Sequence, residues 1–154
     1  MMSRSTRLAL LAIAGLVLFA RQSLTAAGAE PAGAQATLTA VSGTGSGLVL
    51  IAPTAEDQGT FAVEVTVNVH GASPNMTYTV SRAVDLNPDG VCTLATGWLT
   101  NGPLDTSSAG AGAAHFEVHR GAPFVSGVRF DVEFRVLGAD GTELRSECVT
   151  VTVK

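Results

Sequence analysis

Two short stretches of this chain carry side chains suited to binding a metal ion. Asp85-x-Asn87-x-Asp89-Gly90 repeats oxygen-bearing residues at every second position and then places a glycine at the bend. That is the first half of a calcium loop, in which alternating carboxylates and amides ligate the ion. The second half departs from the pattern, because Thr96 stands at the twelfth position, where a bidentate glutamate closes such loops, and Pro88 lies inside. With only two local carboxylates, Asp85, Asn87 and Asp89 are expected to form either a weak Ca²⁺ site or simply a favourable Asn-Pro-Asp-Gly turn. The second stretch is His115-x-Glu117-x-His119. Alternate residues of a strand share one face at a spacing of about 7 Å, so these three form a solvated polar face or, with His70 brought alongside, a Zn²⁺ or Cu²⁺ site.

Catalytic spacing is missing elsewhere. The sequence has no G-x-S-x-G elbow and no paired-carboxylate motif, so it is not read as an enzyme. The glycine run Ser42-Gly43-Thr44-Gly45-Ser46-Gly47 lacks the Lys and Ser/Thr of a phosphate loop, and Leu48 replaces the third glycine of a dinucleotide fingerprint. Asn75-Met76-Thr77 is a glycosylation sequon within turn chemistry.

The elements that must hold these residues are strands. Phe61, Val63, Val65, Val67 and Val69 alternate with Ala62, Glu64, Thr66, Asn68 and His70, giving one apolar and one mostly polar face. Gly71 to Asn75 then predicts a hairpin turn into Met76, Tyr78, Val80 and Val84. Val128, Phe130, Val132, Phe134 and Val136 repeat the pattern, with Arg129, Asp131, Glu133 and Arg135 facing water. Asp140-Gly141 predicts a tight hairpin after them. In the last strand the apolar parity switches near Cys148, as at a bulge or a crossing between sheets. Ala36 to Val41 and Leu48 to Ala52 read as edge-type strands, Pro53 to Gly59 as polar loop, Val91 to Leu99 as a short strand and His115 to Arg120 as another. Helix formers are scarce after residue 30. The expected fold is an all-β antiparallel β-sandwich of seven or eight strands.

Cys92 and Cys148 are the only cysteines and are expected to form one disulfide. Closing a loop of 56 positions stabilises by about 4 kcal/mol in the chain-entropy model. The strand number and the cysteine separation resemble an immunoglobulin-like sandwich. Trp98 follows Cys92 by fewer positions than in antibody domains, and Ser146 stands where their tyrosine precedes the second cysteine. The resemblance therefore implies a fold class and no site residues.

Residues 1–29 read as a secretory signal peptide. Arg4 and Arg7 precede an apolar run from Leu8 to Ala20, and Ala27-Gly28-Ala29 is an A-x-A cleavage motif. The run is shorter than the roughly 20 residues of a membrane-spanning helix. Residues 30–154 then form a single domain behind a flexible leader at 30–35. Removing Arg4, Arg7 and Arg21 leaves 6 basic against 13 acidic side chains, a net charge of −7 with His neutral. Nucleic acid and anionic membrane are poor partners for such a surface. The expected role is that of a secreted binding or interaction module for a protein or surface ligand, with the Thr100 to Ala113 loop as contact surface and Trp98, Leu99 and Leu104 among its contact residues. The alternatives are a metal-binding protein using the Asp85 loop or the His115 face, and a structural subunit of a surface assembly.

Overall fold

The computed structural model describes residues 33–55, 61–94 and 96–153. The signal segment at 1–29 lies outside them. The strands are β1 (Ala34–Ser42), β2 (Ser46–Ala55), β3 (Phe61–His70), β4 (Thr77–Asp85), β5 (Leu99–Asp105), β6 (Gly112–Arg120), β7 (Arg129–Gly138), β8 (Glu143–Ser146) and β9 (Val149–Thr152), with no helix among the described residues. Every ladder is antiparallel, in the order β5-β4-β7-β8-β1-β2-β3-β6, with β9 also on β7.

This order makes an antiparallel sandwich that nearly closes into a barrel. β8 joins the two halves, because it pairs with β7 on one side and β1 on the other. At the far ends β5 and β6 come side by side, and glycine allows the approach. A Cβ on Gly102 would lie 2.7 Å from the Phe116 ring, and one on Gly112 would lie 2.4 Å from the Asp105 carbonyl oxygen. The inward faces supply one core, with Leu38, Val67, Tyr78, Val80, Val136 and Leu144 wholly buried. Phe61, Phe124 and Phe130 pack together at one end, with ring centroids 5.2 to 6.1 Å apart.

The β7 alternation, the Asp140-Gly141 hairpin and the parity switch are all present. Gly138 accepts from Gly141 N–H and donates to the Thr142 carbonyl, closing the hairpin. Leu144 and Ser146 are buried before the switch, Val151 and Val153 after it. The break at Glu147-Cys148 divides the last strand into β8 and β9.

Several boundaries differ from the expected ones. β3 and β4 do not form a hairpin, since β3 pairs with β2 and β6 while β4 pairs with β5 and β7. The connection between them is an arch that bonds to the β5–β6 turn. Ala72 N–H donates to Gly110, Asn75 N–H to Ser107, and Thr106 N–H to Met76. β1 and β2 are interior rather than edge strands. β1 begins at Ala34, inside the expected leader, and β2 runs through Pro53 to Ala55, with Pro53 opposite Val63. Among the described residues from Val91 to Trp98 there is no strand. Much of the expected Thr100 to Ala113 loop is instead β5 and the start of β6.

Candidate functional site

The described residues of the connection from Asp85 to Trp98 lie as a flap over the outer face of β7, and four fastenings hold them. Cys92 and Cys148 are disulfide-bonded, with Cα atoms 5.6 Å apart, a separation suited to an unmoved backbone. Asp131 is the second fastening and corrects the expectation that it faces water. It is fully buried, with Oδ2 accepting from Gly90 N–H at 2.6 Å and Oδ1 from the Thr150 hydroxyl at 2.5 Å. Thr96 is the third, its hydroxyl bonding both Val84 N–H and the Val84 carbonyl. The fourth is Trp98, whose ring meets the guanidinium carbons of Arg135 and Arg145 at 4.5 and 5.3 Å, a cation–π contact. Arg145 also bonds Glu143 at 2.6 Å and lies 3.9 Å from Glu133. Burial raises the pKa of Glu133, against the opposing pull of Arg145.

Within the flap, the alternating Asp-Asn-Asp oxygens bond to the loop itself. Asp85 accepts from Asn87 N–H, Thr93 N–H and the Thr93 hydroxyl. Asp89 accepts from Val91 N–H and from the Asn87 amide. These are Asx-type turns, in which a short side chain caps backbone two residues on, and Gly90 takes the bend at φ 81°. The Thr93 hydroxyl, followed by the Asn87 and Thr93 N–H groups, holds the Asp85 carboxyl below its ordinary pKa, against a smaller effect of burial. Leu86 and Val91 point outward, 56% and 60% exposed.

His115, Glu117 and His119 share the outer face of β6, as their spacing predicts. His115 Nδ1 lies 3.1 Å from the Thr66 hydroxyl and His119 Nε2 3.4 Å from Glu117. His70 does not join them. It stands four residues beyond Thr66 along β3, about 13 Å away at strand rise, with Nε2 2.8 Å from the Ser46 hydroxyl. Among the described residues no three His, Cys, Asp or Glu side chains are grouped to hold a metal ion. Asn75 is exposed on the β3–β4 arch in a left-handed conformation, φ 53°. Of the expected contact residues, Leu99 is 38% exposed, Trp98 is covered by the arginines, and Leu104 is core, 1% exposed.

The sequence reading passed over one further site. Tyr78, Val80, Arg82 and Val84 share the inward parity of β4, so a guanidinium enters the sandwich between valines. Arg82 is 9% exposed. It lines a cleft of about 40 Å³ whose other walls include Phe61, Val63, Val118, Phe124 and Phe130, with Arg120 also on it. The strand ends explain the opening. β5 begins at Leu99, opposite Arg82, so β4 has no β5 neighbour beyond that point, while β6 continues to Arg120. Arg82 bonds the Asn101 amide oxygen, and Arg120 bonds the His119 carbonyl at 3.2 Å. Among the described residues neither arginine has a carboxylate partner. Burial, followed by the like charge of Arg120, pushes the Arg82 pKa down.

The chain matches no protein-family model and no curated protein. Fold and site together define an antiparallel β-sandwich with a disulfide-fastened flap on one face and an arginine-bearing apolar cleft at one end.

Proposed function

We propose that the chain is an exported, extracytoplasmic binding module that recognises a protein or surface ligand through its flap. The observation that carries this is a loop fastened at four points that nevertheless turns Leu86 and Val91 to solvent. A loop ordered in advance loses less entropy on binding, and recognition residues concentrate on loops held by rigid scaffolds. The flap replaces the Thr100 to Ala113 segment as contact surface, since that segment is mostly paired strand. Export is supported by the signal-like segment at 1–29 and by the disulfide, which persists in oxidising compartments. No helix among the described residues is long and apolar enough to cross a membrane.

The test is cross-linking and capture from the native extracytoplasmic fraction with the wild type and with a Leu86→Asp/Val91→Asp variant of matched thermal stability. A partner held by the wild type and lost by the variant supports the flap. Equal capture by both excludes it as the contact surface, and no capture by the wild type overturns the interaction reading.

A further inference from the structure

We infer that the cleft between β4 and β6 binds a small carboxylate on a short apolar stem, with Arg82 and Arg120 taking the carboxylate and the phenylalanine cluster taking the stem. This site is separate from the flap and does not rest on it. Placing one arginine nine-tenths buried beside a second cation is unfavourable, because desolvation and like charge both act against the charged form. A bound anion offsets both by pairing with the two charges. Arg82 gives one hydrogen bond to Asn101 and no other side-chain hydrogen bond among the described residues, while a guanidinium has five N–H donors in a fork that matches a carboxylate. The setting adds selectivity, since most of the chain's ionised groups are acidic and this mouth holds two cations.

The cleft's size limits the stem. At about 40 Å³, and with on the order of 10–15 Å³ needed for each water-sized group on the same measure, it takes roughly three such groups. That suits butyrate, with three carbons beyond the carboxylate carbon counted as its stem, better than a longer acyl chain. The walls fit the same chemistry, because Phe61, Phe124, Phe130, Val63 and Val118 offer the stem no polar atom.

Butyrate and butan-1-ol are titrated into the disulfide-bonded protein, read by calorimetry and by NMR shifts of the Val63 and Val118 methyl groups. The expected result is saturable binding of butyrate with shifts at those methyls, and binding of the alcohol weaker by roughly tenfold or more, the factor for losing a hydrogen bond to a charged group. Arg82→Met and Arg120→Met are each expected to weaken butyrate binding by a similar factor. Arg120 is solvent-exposed, so its variant keeps the test valid if Arg82→Met does not fold. The inference is overturned by butyrate binding that leaves these methyls unmoved, by equal affinity for acid and alcohol, or by no saturable binding of butyrate to the wild type. The Leu86→Asp/Val91→Asp variant retains butyrate binding, which separates this site from the flap.

Discussion

Asp131→Ala should detach one fastening of the flap at measurable cost to the whole fold. The carboxylate is fully buried and accepts two short hydrogen bonds, from Gly90 N–H and the Thr150 hydroxyl. A hydrogen bond to a charged group contributes about 1.5–3 kcal/mol. Two such bonds set an upper range, from which the relieved burial of the carboxylate is subtracted. Thr150 and Gly90 lie near enough to solvent for water to serve part of their need. The net loss works out at about 3 kcal/mol, a fall in Tm on the order of 10 °C for a domain of this size. Urea unfolding measures it, with an unchanged m-value showing that the native state stays compact. Hydrogen exchange adds a local readout, because the Gly90 amide loses its acceptor and should exchange faster. Asp131 and the disulfide fasten the same segment, so Asp131→Ala combined with Cys92→Ser/Cys148→Ser should deviate from additivity by at least about 0.5 kcal/mol. A loss under about 1 kcal/mol with unaltered Gly90 exchange would show that Asp131 does not hold the flap.

Leu104→Ala, expected to be harmless if that residue belonged to a contact loop, should lower stability by about 2–5 kcal/mol in denaturant titration, as a core truncation does. Gly110→Ala should lose at least about 1 kcal/mol in the same assay, since Gly110 sits at φ 71° and a Cβ there would lie 2.2 Å from the Ala72 carbonyl oxygen. The acid titration has two opposed components. Asp85 and Asp140 have folded pKa values held below 3.8, Asp140 by the Ser73 hydroxyl and then Thr142 N–H, so their stabilisation is present above 3.8 and is lost as pH falls through the folded values. Asp85→Asn/Asp140→Asn should therefore be weaker than wild type at neutral pH and converge on it in strong acid. Glu133 runs the other way: its pKa is raised above 4.5, so its contribution is complete below 4.5 and is lost as pH rises through the folded value. Glu133→Gln should gain on wild type toward neutral pH, as read from urea midpoints.

What the sequence made plain was whatever one strand can report alone. Val128 to Val136 gives its buried face directly, and Leu144 to Val153 shows the parity break that separates β8 from β9. Partner choice was not legible. Alternation in Phe61 to His70 and in Tyr78 to Val84 is the same for a hairpin as for an arch between sheets, because both aim their apolar faces at one core. Asp131 misled for a related reason. Its outward parity predicts solvent, and what covers it is a flap supplied by residues far earlier in the chain. The Asp85 spacing was visible, but a turn capped by its own side chains asks for the same alternation of oxygens as a calcium loop. Arg82, by contrast, stood openly at an inward position between Val80 and Val84. Its meaning depended on β5 beginning at Leu99, where the sequence pattern instead suggests the end of a strand from Val91 and the start of a loop.

The ladder between β1 and β8 brings the two ends of the domain together, and Thr37 N–H reaches the Glu147 carboxylate across 110 positions. Pairings of such sequence separation form late and slowly, because the closure entropy precedes any contact that offsets it. A nascent chain therefore cannot complete its sandwich until the last strands have been made. Until then β1 and β7 lack the strand that joins them. The same ladder creates a vulnerability. A chain ending before Glu143 would leave β1 as an unpaired, mostly exposed edge, a template for pairing with other copies.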